Sequence, residues 1–97
     1  MDTDPIQHEI AEEKAAGLGR TEKRLIAALE AFRRQAVDDG RPALARREQV
    51  VWDLVETLTS FVVQREACGL RDARYVFDVY GVPREAIARI GVRRPRN

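Results

Sequence analysis

The sequence predicts an all-α protein built from a long antiparallel helical hairpin and two short C-terminal helices. Two runs of apolar residues recur at spacings of three and four, as the buried face of a helix does, and a break around Gly40 and Pro42 separates them. The first run has one polar interruption, Glu22, and comprises Ala11, Ala15, Leu18, Leu25, Leu29, Phe32 and Ala36. The second run comprises Val51, Leu54, Val55, Leu58, Phe61 and Val62.

The first helix is expected over residues 5–37. Asp4 and Pro5 suit the N-cap and the first helical position, and three glutamates follow near the positive end of the helix dipole. Gly17 and Gly19 could divide this helix. The apolar run keeps its phase across them, however, and an interior glycine costs only about 1 kcal/mol. We therefore expect one helix, with any bend near the glycines.

The second helix is expected over residues 43–68, after the break at Asp38–Pro42. Gly69 suits the left-handed position that follows a last helical turn, and Leu70 is available for the apolar contact that accompanies it. Trp52, Thr59 and Val63 lie beside the second apolar run. They widen the apolar face of this helix, which indicates contacts on more than one side.

Residues 72–91 predict a pair of short helices that pack near one end of the hairpin. Asp72 is the N-cap candidate of a helix over 73–80, and Gly81–Pro83 form a turn before a last helix over 84–90, which Gly91 ends. The expected packing residues are Tyr75, Val76, Val79, Tyr80, Ile87 and Ile90. Residues 92–97 are expected to be a frayed tail, and residues 1–97 to form a single domain.

The length of the two apolar runs predicts self-association. Two long helices and only two short covering helices would leave apolar surface exposed, and a second copy could bury it as a four-helix-bundle-like homodimer. The predicted self-association core comprises Leu25, Leu29, Phe32, Val51, Leu54, Leu58 and Phe61. The leading functional hypothesis is therefore a non-catalytic helical protein-interaction or structural module, which binds itself or a helix of another protein.

Composition restricts the class of protein. The 97 residues are 44% hydrophobic and 34% charged, which fits one small folded domain and not a disordered tail. No window approaches the roughly 20 apolar residues of a membrane span. Residues 1–13 lack a signal-peptide core, and the chain has one cysteine, Cys68, so no intrachain disulfide forms. We expect a cytoplasmic protein with no membrane contact.

Few residues are suited to catalysis. His8 and Cys68 are the only residues of their types, whereas a zinc site needs three or four ligands held together, so we expect no metal, no cofactor and no catalytic residue. Cys68 lies at the negative end of a helix, which disfavours a thiolate nucleophile. We interpret Cys68 as a small core residue and His8 as a solvated side chain.

One polar cluster could bind a small anion. It comprises Gln64, Arg65, Arg71 and Arg74. Arg65 continues the apolar run of the second helix, so its charge should seek a carboxylate, from Asp72 or from another helix. We favour a structural role, in which these residues close the helix end. A small-anion binder or an enzyme around Arg65, Cys68 and Arg71 remains a hypothesis.

The C-terminal part offers a DNA-binding alternative. Residues 69–97 carry seven arginines against three acidic residues, and residues 73–90 resemble a helix-turn-helix unit with Gly81 at its turn. The predicted DNA contacts are Arg84, Arg89, Arg93 and Arg94. Phe77 occupies a crossing point where such units usually place a small residue. The whole chain is also nearly neutral, so nucleic-acid binding is the weaker hypothesis.

Three segments carry a resemblance to a known family. Val62–Asp72, Tyr80–Glu85 and Leu18–Arg20 together resemble a family of small uncharacterised bacterial α-helical proteins, a domain of unknown function. The resemblance covers most of the chain. It implies an α-helical, cytoplasmic protein and brings no activity with it.

Overall fold

The computed structural model describes residues 5–37 and 44–96, and these form four helices and no strand. The helices are α1 (Pro5–Val37), α2 (Leu44–Ala67), α3 (Ala73–Tyr80) and α4 (Arg84–Ala88). α1 and α2 pack against each other as a hairpin, so the predicted all-α fold and its hairpin are confirmed. The predicted cap at Asp4 and the predicted break at Asp38–Pro42 lie outside the described residues.

α1 is continuous through both of its glycines. A Cβ atom at Gly19 would meet nothing within 4 Å, so no packing requires a glycine there. A Cβ atom at Gly17 would lie 2.9 Å from Nε2 of Gln64 in α2. At Gly17 the Gln64 side chain of α2 therefore passes close to the α1 backbone.

The core lies between the two long helices and is completed by the two short ones. Leu25 and Leu29 of α1 are buried against α2, and three residues of the C-terminal part close over them: Val76, Val82 and Ala86. Of the three residues expected to widen the α2 face, Trp52 is buried beside the main apolar run, but Thr59 and Val63 are exposed, so the apolar face of α2 is narrower than predicted. Within the described residues, no helix is long and apolar enough to span a bilayer.

The predicted self-association core is mostly an intrachain core, which corrects its assignment. Six of its seven residues are buried within one chain: Leu25, Leu29, Val51, Leu54, Leu58 and Phe61. Phe32 is half-buried and packs against the same cluster. The reason is the path of α3 and α4, which run along the side of the hairpin instead of packing at one end. A second copy could reach these residues only if the hairpin opened.

The ends of α2 and α3 confirm the roles predicted for glycine and for Asp72. Gly69 has φ = 84°, and the Leu70 N–H donates to the Arg65 carbonyl at 2.9 Å, as in a Schellman motif. Gly81 has φ = 62°, and the Val82 N–H donates to the Phe77 carbonyl at 3.0 Å. The Asp72 carboxylate accepts from the Tyr75 N–H at 3.1 Å and caps α3.

The short helices differ in detail from their prediction. Val76 is buried and Tyr80 half-buried as expected, but Tyr75, Val79 and Ile90 are exposed, while Phe77 packs against the core. α4 stops at Ala88 because the next N–H groups bond three residues back instead of four. The tail expected to fray is held at Arg94, whose guanidinium pairs with Asp53 at 3.0 Å and Glu56 at 3.1 Å on α2.

Candidate functional site

Tyr80 joins the two long helices at the C-terminal end of α3. Its hydroxyl donates to the carboxylate of Glu22 on α1, and its ring meets the ring of Phe61 on α2 edge-on, with centroids 5.5 Å apart. Its backbone carbonyl accepts a hydrogen bond from Arg33 Nη2 of α1 at 3.0 Å. That guanidinium also lies at the negative end of the α3 dipole, which is favourable. We call Tyr80, Glu22, Phe61 and Arg33 the tyrosine junction.

The chemistry of the tyrosine junction favours a structural role. Burial, and after it the hydrogen bond to the Glu22 carboxylate, raise the pKa of the Tyr80 hydroxyl to about 12. At neutral pH the phenol is therefore held protonated, as a hydrogen-bond donor. A tyrosinate base or nucleophile at this position is disfavoured.

Stability should fall as pH rises from 10 toward about 12, because the pKa of Tyr80 is raised in the folded chain from its ordinary 10.0 to about 12. In that window the folded state binds more protons than the unfolded state, so deprotonation favours unfolding. Tyr80→Phe loses the bond to Glu22, which costs about 1 kcal/mol below pH 10, but it also loses this pH dependence. Urea unfolding at pH 8, 10 and 11.5 should therefore show that the difference in free energy of unfolding between the unmodified chain and Tyr80→Phe becomes smaller as pH rises. A difference that stays constant with pH would contradict the expectation.

Arg65 binds aromatic rings and not the predicted carboxylate. Its guanidinium carbon lies 5.8 Å from the ring centroid of Phe61 and 5.4 Å from that of Tyr75. Within the described chain it forms no ion pair, and Asp72, its predicted partner, caps α3 instead. The Arg65 Nε atom is buried without a hydrogen-bond partner in the described residues. Arg65 therefore acts as a cationic cover over the aromatic side of the tyrosine junction.

The other members of the predicted anion cluster point in different directions. Gln64 turns toward α1, where its Nε2 donates to the Lys14 carbonyl at 3.4 Å. Arg71 and Arg74 are exposed on and before the first turn of α3. Gln64 thus lies apart from the aromatic rings that surround the Arg65 guanidinium. This arrangement favours the structural interpretation of the segment over an anion pocket.

The segment predicted to read DNA is bound to α2 instead. Arg89 pairs with Glu48 at 2.9 Å and stacks over the Trp52 ring at 5.0 Å, and Glu85 pairs with Arg47 at 2.7 Å. The hydrogen bond from Arg89 lowers the pKa of Glu48 and raises that of Arg89. Because α4 has five residues, and Glu85 within it and Arg89 directly after it both pair with α2, this segment offers little of a recognition helix.

Two of the four predicted DNA contacts are therefore used inside the chain. Arg89 and Arg94 both pair with carboxylates of α2, whereas Arg84 and Arg93 are exposed. The uneven charge of the sequence explains this arrangement, since the arginine-rich C-terminal part lies against the acidic residues of α2.

The first part of α1 is an exposed helical surface. Gln64 and Cys68 contact the Lys14 carbonyl at 3.4 and 3.8 Å, so the end of α2 lies level with Lys14. Residues 5–13, which we call the N-terminal extension, continue beyond it as a helix whose residues are all exposed. The side chains of Ile6 and Ile10 are 64% and 49% exposed and lie one turn apart. Ala11 and Ala15, expected to pack, are also exposed.

His8 and Cys68 contact different residues. His8 Nε2 lies 2.8 Å from Glu12 Oε1 on the N-terminal extension, and the Cys68 thiol donates to the Lys14 carbonyl. The solvated His8 matches its prediction, while Cys68 is half-buried at the hairpin end. The described ranges contain no group of three or more His, Cys, Asp or Glu residues that could hold a metal ion.

Sequence reasoning missed two features that had a visible pattern. Glu22 interrupts the apolar run of α1, and a carboxylate on a packed face requires a donor, which Tyr80 supplies. The second missed feature is the N-terminal extension. The two predicted helices have unequal lengths, 33 and 26 residues, and the nine residues of the extension are the part of α1 that passes the end of α2. Ile6 and Ile10 belong to a different face from Leu18 and Leu25, and that change of face was the second pattern.

One of the comparisons with known proteins finds a match over nearly the whole chain. A family model, described as a family of unknown function (DUF6665), matches residues 1–96. No curated protein and no solved structure matches the chain. The family match covers nearly the whole chain and agrees with the resemblance seen in the sequence.

Proposed function

Since the chain belongs to this family of unknown function, whose model spans residues 1–96, we propose its role from its surface: a non-catalytic helical protein-interaction module that self-associates. The hairpin, the tyrosine junction and the α2 ion pairs form its rigid body. The N-terminal extension is its contact surface. We place this module in the cytoplasm, because a single half-buried thiol suits a reducing compartment.

The observation that carries the proposal is the exposed N-terminal extension. The extension continues α1 and needs no new helix nucleus, but its nine residues bury no apolar side chain in this chain, so tertiary packing does not stabilise them. Ile6 and Ile10 are exposed on it at a spacing typical of a helix-packing face. A partner that covered this face would stabilise the extension and remove the two isoleucine side chains from water.

The mass of the protein in solution tests self-association. We expect light scattering after size-exclusion chromatography, over about 1–100 µM, to give twice the 11.0 kDa of one chain, with the smaller species appearing on dilution. Micromolar dissociation corresponds to about 8 kcal/mol, which a modest helix–helix interface supplies. A mass of one chain across the whole range would contradict the proposal.

A further inference from the structure

The N-terminal extension and the segment that follows it carry opposite charges. Residues 5–13 contain three glutamates, Glu9, Glu12 and Glu13, and no lysine or arginine. Residues 14–24, which we call the basic segment, contain one glutamate, and that one accepts a hydrogen bond from Tyr80. The basic residues of this segment are all exposed: Lys14, Arg20, Lys23 and Arg24. One face of α1 is thus acidic at its start and basic one or two turns later.

The apolar surface follows the same helix face. Ile6, Ile10 and Gly17 are spaced by four and seven residues, which places them along one side of α1. Ile10 and Gly17 border a shallow pocket at the hairpin end that is also lined by Glu13, Lys14, Arg20 and Gln64. An exposed aliphatic side chain of matching size would fit between the charged rims of this pocket.

We infer that the occupant of this surface is a second copy of the chain, with the two α1 helices antiparallel and each N-terminal extension packed on the basic segment of the other. This inference rests on the proposed self-association and names its surface. When Glu13 faces Lys14 of the second copy, Ile10 faces the pocket beside Gly17, and the contact repeats on the other side of a two-fold axis. Such an interface is isologous, so both halves form from the same residues.

Charge makes a second copy a better occupant than an unrelated apolar helix. In this antiparallel register the glutamates of each extension lie opposite residues 14–18, the first part of the basic segment of the other copy, whereas a parallel pair would place like charges side by side. The existing Glu13–Arg20 bridge at 3.3 Å is exposed on both side chains, so exchanging it for a bridge between copies costs little. Salt should weaken the dimer, because the attraction acts between exposed charges.

A charge-exchange experiment tests both the surface and the orientation. Variant one carries Glu9→Lys and Glu13→Lys, and variant two carries Lys14→Glu and Arg20→Glu. Each alone places like charges at both halves of the interface, so its dimer dissociation constant should rise at least about tenfold. An equimolar mixture restores opposite charges in both halves, so a heterodimer should form with about the affinity of the unmodified chain.

Two isoleucine variants give a matched control. Ile10→Asp should raise the dissociation constant at least about tenfold, while Ile26→Asp, on the same helix and also exposed, should leave it within about twofold. Circular dichroism and the pH 8 unfolding curve should show that all variants fold. A dimer that withstands Ile10→Asp and both charge variants would overturn this surface and leave self-association standing. A monomeric unmodified chain would overturn both proposals.

Discussion

Leu58→Asp should abolish the folded state of the chain. Leu58 is fully buried on α2 between α1 and the C-terminal helices, with no polar partner in the cluster around it. An unpaired carboxylate there costs several kcal/mol, of the order of the 5–15 kcal/mol that separates folded from unfolded small domains. The helical signal at 222 nm should fall to that of an unfolded chain at 25 °C.

The matched control is Ser60→Asp, which adds the same charge two residues further along α2. Ser60 is exposed, so the free energy of unfolding of Ser60→Asp should lie within about 0.5 kcal/mol of that of the unmodified chain. Both variants should be measured at a concentration where the unmodified chain is monomeric. A cooperatively folded Leu58→Asp variant at that concentration would contradict the placement of Leu58 in an intrachain core.

Periodicity was sufficient for the hairpin because it reports which residues are buried. Leu25, Leu29 and Leu58 recur at helical spacing, and each is in the core. Glycine and Asp72 were equally informative at the helix ends, since a left-handed residue and a capped N–H are local requirements. These features depend on neighbours in sequence, so the sequence alone reveals them.

The residues that cover the hairpin could not be predicted from the sequence in this way. Periodicity identifies an apolar face but not whether the same chain or a second copy lies on it. The answer depends on the contacts of Val76, Val82 and Ala86, which form after the chain has turned at Gly69. For the same reason Arg65 was assigned a carboxylate: the rings of Phe61 and Tyr75 approach it only in the folded chain.

The candidate site shows the same limit more strongly. Charge asymmetry in sequence indicated that the two halves of the chain attract each other and that the C-terminal arginines could also bind an anionic partner. In the structure Arg89 and Arg94 meet Glu48, Asp53 and Glu56 of α2. Sequence spacing does not reveal these pairs, because the partners are about 40 residues apart. The acidic start of α1 was noted only as a favourable helix terminus, and its exposure beyond the hairpin appears once the end of α2 is located.

Phe61→Ala should be the most costly truncation in the tyrosine junction. Phe61 is almost fully buried, and its ring contacts the Tyr80 ring edge-on and lies below the Arg65 guanidinium. Removing a buried aromatic ring costs about 3–5 kcal/mol through lost transfer energy and the cavity left behind. The edge-on contact adds about 0.5–1.5 kcal/mol that is lost with the ring. Urea unfolding should show the midpoint falling by more than half.

Phe61→Leu separates the loss of volume from the loss of the ring. Leucine fills most of the cavity, so we expect a cost of about 1–1.5 kcal/mol, and the difference between the two variants reports the cavity. The loss should also loosen Tyr80, because Phe61 is the α2 side of the junction while Glu22 and Arg33 hold the α1 side. In a Phe61→Ala background, the effect of Tyr80→Phe on the free energy of unfolding should then change less with pH than it does in the unmodified chain. If Phe61→Ala costs less than about 1 kcal/mol, α3 is not held on the hairpin by this ring, and the tyrosine junction is not what covers the core.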